Sequence, residues 1–203
     1  MARQSRALRA SLQAVGTLRR VLERQQSLEH AFEVQKHQLP GYEQGTLRDL
    51  CSGTLRHWHR YAAVIDAVAP AAVTDHLDAR LLMATTLFDA QNTRGSKRSR
   101  GKLLDRAEAC GQALALPPDL RDACARALAL QPHELAELHT AASALSMPEW
   151  LYARLASETP LDAYAALLLR RPDFLSLCVD PSVWSPQECV LHPKLSLANL
   201  SAL

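Results

Sequence analysis

The chain has 203 residues, enough for one helical domain of ordinary size and a smaller appendage. Its apolar content of 48% is typical of globular proteins, and its longest apolar runs are too short to cross a bilayer, which excludes a membrane-spanning helix. The net charge of +2 hides an asymmetry: residues 1–60 hold ten Lys/Arg against five Asp/Glu, whereas residues 110–203 hold six against ten. A basic front half suits a polyanionic partner, although solvated helix faces give similar imbalances.

Residue usage predicts an all-α fold, because alanine and leucine dominate and β-branched residues are sparse. Five cysteines, at positions 51, 110, 124, 178 and 189, are odd in number and form no C-x-x-C pair. That usage predicts reduced thiols in a cytoplasmic protein, not a disulfide framework or a zinc site.

The first predicted helix spans residues 4–25 and is strongly amphipathic. The basic residues around its start, Arg3, Arg6 and Arg9, follow one another at three-residue spacing, and no acidic residue precedes Glu23. A start of this kind also fits a mitochondrial presequence, but the apolar register runs on past any short leader, so we favour a retained structural helix. The apolar positions step by three and four residues: Leu8, Leu12, Val15, Leu18 and Leu22.

A short second helix is predicted from a Ser27 cap to about His37, with Leu28, Phe32 and Val34 facing inward. After a break at residues 39–41, apolar residues at helical spacing predict a long central helix over 47–68. It includes Trp58, and we expect it to bend at Ser52–Gly53, since glycine weakens a helix.

The chain after Pro70 predicts one more apolar helix, from a cap at Thr74 or Asp75 through Phe88, and then a basic loop over residues 91–102. Helices are predicted next over residues 103–114, 118–130 and 132–144. From Ser146 the pattern predicts two short helices, the second over 161–170, then one strand over 174–179 and a loose tail. These pieces predict a domain over residues 1–140, and a linker and truncated second module over residues 141–203.

The order of these pieces resembles the NusB-like domain that begins bacterial rRNA cytosine-C5 methyltransferases. The resemblance is carried by a Gln26-Ser27-Leu28 turn, the stretch from Asp49 to Arg56, a Pro148-Glu149-Trp150-Leu151 segment and the Arg171-Pro172 step before the strand. It covers about residues 5–70 and 147–180. The resemblance implies a NusB-like helical bundle, a short helical linker and the start of a small α/β module.

The chain departs from this family in two places. In the middle, the basic loop over residues 91–102 stands where the family has a proline-histidine-alanine turn and a further helix. At the end, the chain lacks the glycine-rich S-adenosylmethionine loop, since its seven glycines form no G-x-G, and Cys178 and Cys189 lie in the wrong context for a catalytic pair. We therefore expect a protein that binds but does not methylate, without cofactor or metal.

Two basic groups are the candidate RNA-binding residues: Arg3, Arg6 and Arg9 in the first helix, and Lys97, Arg98 and Arg100 in the loop. Their chemistry would be phosphate neutralisation with salt-sensitive affinity, and the resemblance implies rRNA as the target. A solvated helix flank is the competing interpretation for the first group, and a flexible basic loop for the second.

Other motifs are weaker candidates for chemistry. His57 and His59 are two residues apart, so they point to different sides of a helix and cannot chelate one metal well. His133-Glu134 resembles a zinc-protease motif, but Glu137 stands where the second histidine would be. No elbow-like turn presents a serine nucleophile. Trp58 and Trp150 are predicted to be core anchors and not base-stacking platforms.

The sequence therefore predicts RNA recognition, as the substrate-positioning part of an rRNA methyltransferase whose catalytic domain is truncated here or supplied by another chain. A second hypothesis is a stand-alone antitermination-like factor that binds RNA and a ribosomal protein or polymerase. A third is a degenerate fragment or helical adaptor without a nucleic-acid role. RNA binding at moderate salt separates the first two hypotheses from the third.

Overall fold

A computed structural model describes residues 6–37, 39–92, 99–158 and 161 of the chain. This described part is all-α, as the residue usage predicted, and it contains no strand. Its eleven helices are α1 (Arg6–Leu22), α2 (Leu28–Lys36), α3 (Gly41–Arg56), α4 (Trp58–Val68), α5 (Ala71–Thr74), α6 (Leu77–Asn92), α7 (Arg100–Ala113), α8 (Leu120–Ala127), α9 (Pro132–Leu138), α10 (Ala141–Ala144) and α11 (Glu149–Ala156).

Helix α1 is the amphipathic helix that the leucine spacing predicted. It packs against α2, α3, α6 and α7. Its apolar face is buried in the core at Ala10, Ala14, Val15 and Leu18. Because four helices cover that face, α1 belongs to the core of the bundle.

Helix α2 confirms the predicted cap, because the Ser27 hydroxyl accepts a hydrogen bond from the His30 amide at 3.2 Å. Phe32 is buried and Leu28 packs against the core. The inward orientation predicted for Val34 is wrong: its side chain is exposed. Val34 lies two residues from Phe32, a spacing that turns a side chain away from the buried face of a helix.

The predicted long helix over residues 47–68 is two helices, α3 and α4, that meet at His57. The interruption therefore lies four residues after the predicted bend at Ser52–Gly53. At Gly53 the helix continues, and the missing side chain leaves space for a neighbouring ring: a Cβ there would lie 2.0 Å from Cζ of Phe88. The His57 ring stacks on the same Phe88, with 6.4 Å between the ring centroids. Phe88 thus fills the angle between α3 and α4.

Helix α6, and not the 47–68 region, is the centre of the bundle. It packs against α1, α3, α4, α5, α7 and α8, and every residue from 81 to 87 is buried. A helix that is covered on all sides needs no polar face. Two of the buried residues, Thr85 and Thr86, satisfy their hydroxyl groups inside the helix by donating to the Leu82 carbonyl at 2.9 and 2.8 Å.

Helices α7 and α8 shorten the predicted basic loop and shift two predicted helix starts. The Ser99 hydroxyl accepts a hydrogen bond from the Lys102 amide, so α7 begins at Arg100 instead of residue 103. Arg100 and Lys102 are therefore residues of a first helical turn, and Gln91 and Asn92, also placed in the predicted loop, are the last residues of α6. Helix α8 begins at Leu120, two residues after Pro118.

The helix start predicted at Thr74 or Asp75 is also displaced, because the short helix α5 ends at Thr74 and α6 begins at Leu77. The region after α8 consists of short helices. The segment predicted as one helix over 132–144 is divided into α9 and α10, and α10 packs against α4 and α11. Except for residue 161, the predicted helix over 161–170, the predicted strand over 174–179 and the predicted loose tail lie outside the described residues. The division into domains at residue 140 stays a prediction.

No helix among the described residues is long and apolar enough to cross a membrane.

Candidate nucleic-acid interface

The start of α1 lies against the start of α3, and this contact brings the predicted residue Arg9 to a buried carboxylate. Glu43, in the first turn of α3, has a side chain only 1% exposed. Arg9 Nη2 donates a hydrogen bond to Glu43 Oε1 at 2.7 Å. A carboxylate in the first turn of a helix also interacts favourably with the helix dipole. The Arg9–Glu43 pair therefore joins the two helices.

This ion pair fixes the Arg9 guanidinium. The hydrogen bond and the charge of Glu43 raise the pKa of Arg9 above its ordinary value. Within the described residues, Arg9 Nε and Glu43 Oε2 are buried and without a hydrogen-bond partner. A buried carboxylate needs a cationic partner, so the first role of Arg9 is to compensate Glu43.

Arg6 is held more loosely, at the surface. Its Nε atom lies 3.8 Å from Glu43 Oε1, and its side chain is 59% exposed. The guanidinium lies 4.3 Å from the centroid of the Tyr42 ring, and Arg6 Nη2 donates to the Tyr42 carbonyl at 3.0 Å. Tyr42 is itself 65% exposed. Arg6 and Tyr42 together present a cation and an aromatic face to solvent.

Sequence reasoning missed Tyr42, which stands alone after the Pro40-Gly41 turn in no periodic pattern. The sequence does show a large aromatic residue in a helical turn that is otherwise without apolar side chains. Its neighbours Gly41 and Gln44 offer the Tyr42 ring no apolar partner. The ring of Tyr42 is accessible to solvent and carries a polar hydroxyl at its tip.

The second basic group lies elsewhere. The Arg100 guanidinium donates to the main-chain carbonyl of Ala125, near the end of α8, so it satisfies one of the last carbonyls of that helix. Helix α7 contacts α1 at its other end, where the Cys110 thiol lies 4.0 Å from the Leu8 carbonyl oxygen. Ten residues of helix separate Arg100 from Cys110, about 15 Å. The structure therefore does not bring Arg100 together with Arg6 and Arg9.

Three of the six predicted RNA-binding residues, Arg3, Lys97 and Arg98, lie outside the described residues.

The cysteines in the described part are buried and unreactive. Cys51, Cys110 and Cys124 are free thiols. Burial raises the pKa of Cys51 to about 12, of Cys110 to about 11 and of Cys124 to about 12. Thiols with such pKa values carry almost no thiolate at neutral pH, so these residues are packing groups.

The remaining motifs have structural roles. Glu134, of the motif resembling a zinc protease, accepts a hydrogen bond from the Gln131 amide at 2.7 Å and so caps the start of α9. Among the residues that the structure describes, no group of three or more His, Cys, Asp or Glu side chains could hold a metal ion.

The two tryptophans differ. Trp58 is partly buried and packs against the core, as predicted. The prediction that Trp150 is a core anchor is wrong, because its side chain is 72% exposed. Helix α11, which carries Trp150, has no buried residue, so its apolar side chains have little to pack against within the described part of the chain.

Comparisons with known proteins do not assign this chain to a family. No family model matches the chain, and no curated protein matches it significantly.

Proposed function

We propose that this chain is a cytoplasmic RNA-binding domain whose contact surface includes Arg6 and Tyr42. The observation that carries the proposal is the exposed stacked pair that these two residues form at the start of α1 and α3. Proteins that bind single-stranded RNA combine cationic side chains, which neutralise phosphates, with aromatic faces, on which bases stack. Arg6 and Tyr42 supply one group of each kind side by side.

The charge distribution supports the same surface. No acidic residue precedes Glu23, and Glu43, whose carboxylate lies 3.8 Å from Arg6 Nε, is buried and paired with Arg9. Incoming phosphates therefore meet the two guanidinium groups before the carboxylate. The resemblance to the NusB-like domain of rRNA methyltransferases supports rRNA as the target.

Fluorescence anisotropy with a labelled single-stranded oligoribonucleotide, titrated at several salt concentrations, tests this proposal. Arg6→Gln should weaken binding and reduce the slope of log K against log[salt] by about 0.7, the value of one phosphate contact on a single strand. Tyr42→Ala should weaken binding about 5- to 150-fold, because base–aromatic stacking contributes about 1–3 kcal/mol per base. Arg6 is a cleaner target than Arg9, whose removal leaves Glu43 buried and unpaired.

Matched controls come from α11, which carries an exposed arginine and an exposed aromatic residue. Arg154 pairs with Glu158 one turn away, and Trp150 is as exposed as Tyr42. Arg154→Gln and Trp150→Ala should leave affinity and salt slope unchanged. If the variants in α11 lose as much affinity for RNA as those at Arg6 and Tyr42, the proposed contact surface on α1 and α3 is wrong. Absence of salt-sensitive binding in the unaltered chain would favour a helical adaptor without a nucleic-acid role.

A further inference from the structure

A cavity lined by helices other than α1 and α3 offers a second kind of site. It has a volume of about 220 Å³ and lies between α4, α6, α8 and α9. Most of its wall is aliphatic, with Val64, Leu87 and Leu135 from three different helices. Ala90 and Gln91, at the end of α6, are exposed, so the cavity opens to solvent there.

Four polar side chains interrupt this apolar wall. Two of them pair with each other, since the Tyr61 hydroxyl donates to Gln91 Oε1 at 3.1 Å. The other two are Arg60 and His139. Arg60 of α4 lines the cavity and forms no ion pair with a carboxylate of the described residues. His139, which follows α9, lines it as well, and its buried Nδ1 atom has no hydrogen-bond partner in the described part. An uncompensated guanidinium and an unsatisfied imidazole nitrogen in an apolar recess both favour an anionic hydrogen-bonding ligand.

The protonation state of His139 agrees with this geometry. Burial, and then the charge of Arg60, lower the pKa of the imidazole. A neutral imidazole keeps one N–H donor, so at neutral pH the cavity carries a single positive charge, on Arg60. The site is therefore suited to a ligand with one negative charge.

We propose that this cavity binds a small monocarboxylate with an apolar body, with the carboxylate at Arg60 and His139 and the body against the aliphatic wall. An apolar cavity of about 150 Å³ accommodates benzene, so 220 Å³ accommodates roughly nine non-hydrogen atoms. A ligand of that size is a free aromatic or short-chain aliphatic acid. This inference is independent of RNA binding, since the cavity is built from other helices than the Arg6–Tyr42 pair.

Benzoate and its neutral isostere benzamide are matched probes, because both have nine non-hydrogen atoms and the same ring. Each is titrated into the full chain labelled with nitrogen-15, and amide shifts around the cavity are followed by NMR. Benzoate should bind with a Kd of about 10 mM or tighter, the value that ordinary ligand efficiency gives for nine atoms. Benzamide should bind at least about tenfold more weakly, because it cannot form charge-assisted hydrogen bonds.

Three variants make the test specific. Arg60→Met should remove the preference for benzoate, whereas Arg56→Met, at the last residue of α3 and outside the cavity wall, should preserve it. Ala90→Leu, at the exposed rim, should weaken both probes, and the folding of each variant is checked by its amide spectrum. Equal binding of the two probes, a preference that survives Arg60→Met, or no saturable shift at the cavity would each overturn the proposal.

Discussion

At the scale of single residues, Gly53 determines how closely α3 approaches α6. A methyl group at this position would lie 2.0 Å from the Phe88 ring, far inside a normal contact. We expect Gly53→Ala to lower the free energy of unfolding by about 1–3 kcal/mol, because overpacking displaces the ring and exceeds the gain in helix propensity.

A matched control lies eight residues earlier in the same helix. Gly45 is exposed, and a Cβ added there meets nothing within 4 Å. Gly45→Ala should therefore raise the free energy of unfolding, by up to about 1 kcal/mol. Urea unfolding of both variants measures the two effects, and stabilisation by Gly53→Ala would contradict the packing described for Phe88.

His57, at the junction of α3 and α4, makes stability depend on pH. Burial, and then the charges of Arg60 and Arg56, lower the pKa of this half-buried imidazole below its ordinary value of 6.5. The unfolded chain therefore takes up a proton at a higher pH than the folded chain. Stability should fall as the pH decreases through 6.5 and level off below the folded pKa.

His57→Gln should reduce this pH dependence. One histidine contributes a slope of at most about 1.4 kcal/mol per pH unit, and less here because the ring is partly solvated. Urea unfolding at several pH values between about 7.5 and 5.5 measures the slope. His59 and His139 shift in the same direction, also through burial, so part of the slope should remain. An unchanged slope would show that His57 titrates alike in both states.

At the scale of helices, the end of α7 has a left-handed residue that is not glycine. Ala115 has a φ of 52°, and the Leu116 amide donates to the Gly111 carbonyl at 2.9 Å, the bond that closes a Schellman motif. A non-glycine residue in this conformation costs about 1–2 kcal/mol. Part of any gain from glycine is lost to its greater freedom in the unfolded chain.

Ala115→Gly should therefore raise the free energy of unfolding by about 0.5–1 kcal/mol. Ala113→Gly, two residues earlier within the helix, should instead lower it by up to about 1 kcal/mol. Thermal unfolding of the two variants should thus shift the midpoint in opposite directions. A lower midpoint for Ala115→Gly would mean that the helix end is not left-handed in solution.

Helices with an apolar stripe and a capping residue were predictable from the sequence. Helix ends that depend on contacts with other helices were not. The leucine spacing of α1 and the Ser27 cap of α2 encode local structure directly. The break at His57 could not be predicted, because no proline or glycine marks it and the ring that packs on His57, Phe88, belongs to another helix. Ser99 was available as a cap signal for α7, and the basic residues after it masked that signal.

At the scale of the whole molecule, composition predicted the all-α class, but it did not predict which helix is the most deeply buried. Helix α6 has no polar face between residues 81 and 87, so the periodicity that identifies amphipathic helices does not mark it. The 47–68 region has the clearer stripe, and for that reason the sequence predicts it as the centre. Clear periodicity marks helices at the boundary between core and solvent, whereas the most central helix lacks it.

Sites were predictable only where one helix contains them. The arginine spacing in α1 identified Arg6 and Arg9, but the difference between them arises from α3, which supplies Glu43 to one and Tyr42 to the other. The cavity at Arg60 and His139 combines residues separated by almost eighty positions in the sequence, so no local sequence pattern predicts it.

The buried position of α6 also determines how the molecule opens. Amide hydrogens between residues 81 and 87 should exchange with solvent only through global unfolding, since six other helices cover them. Helices α9 and α11 contain no buried residue, so their amides should exchange through local opening at much lower free energy. Among the residues that the structure describes, proteases should accordingly cut the region from α9 to α11 before the helices packed around α6.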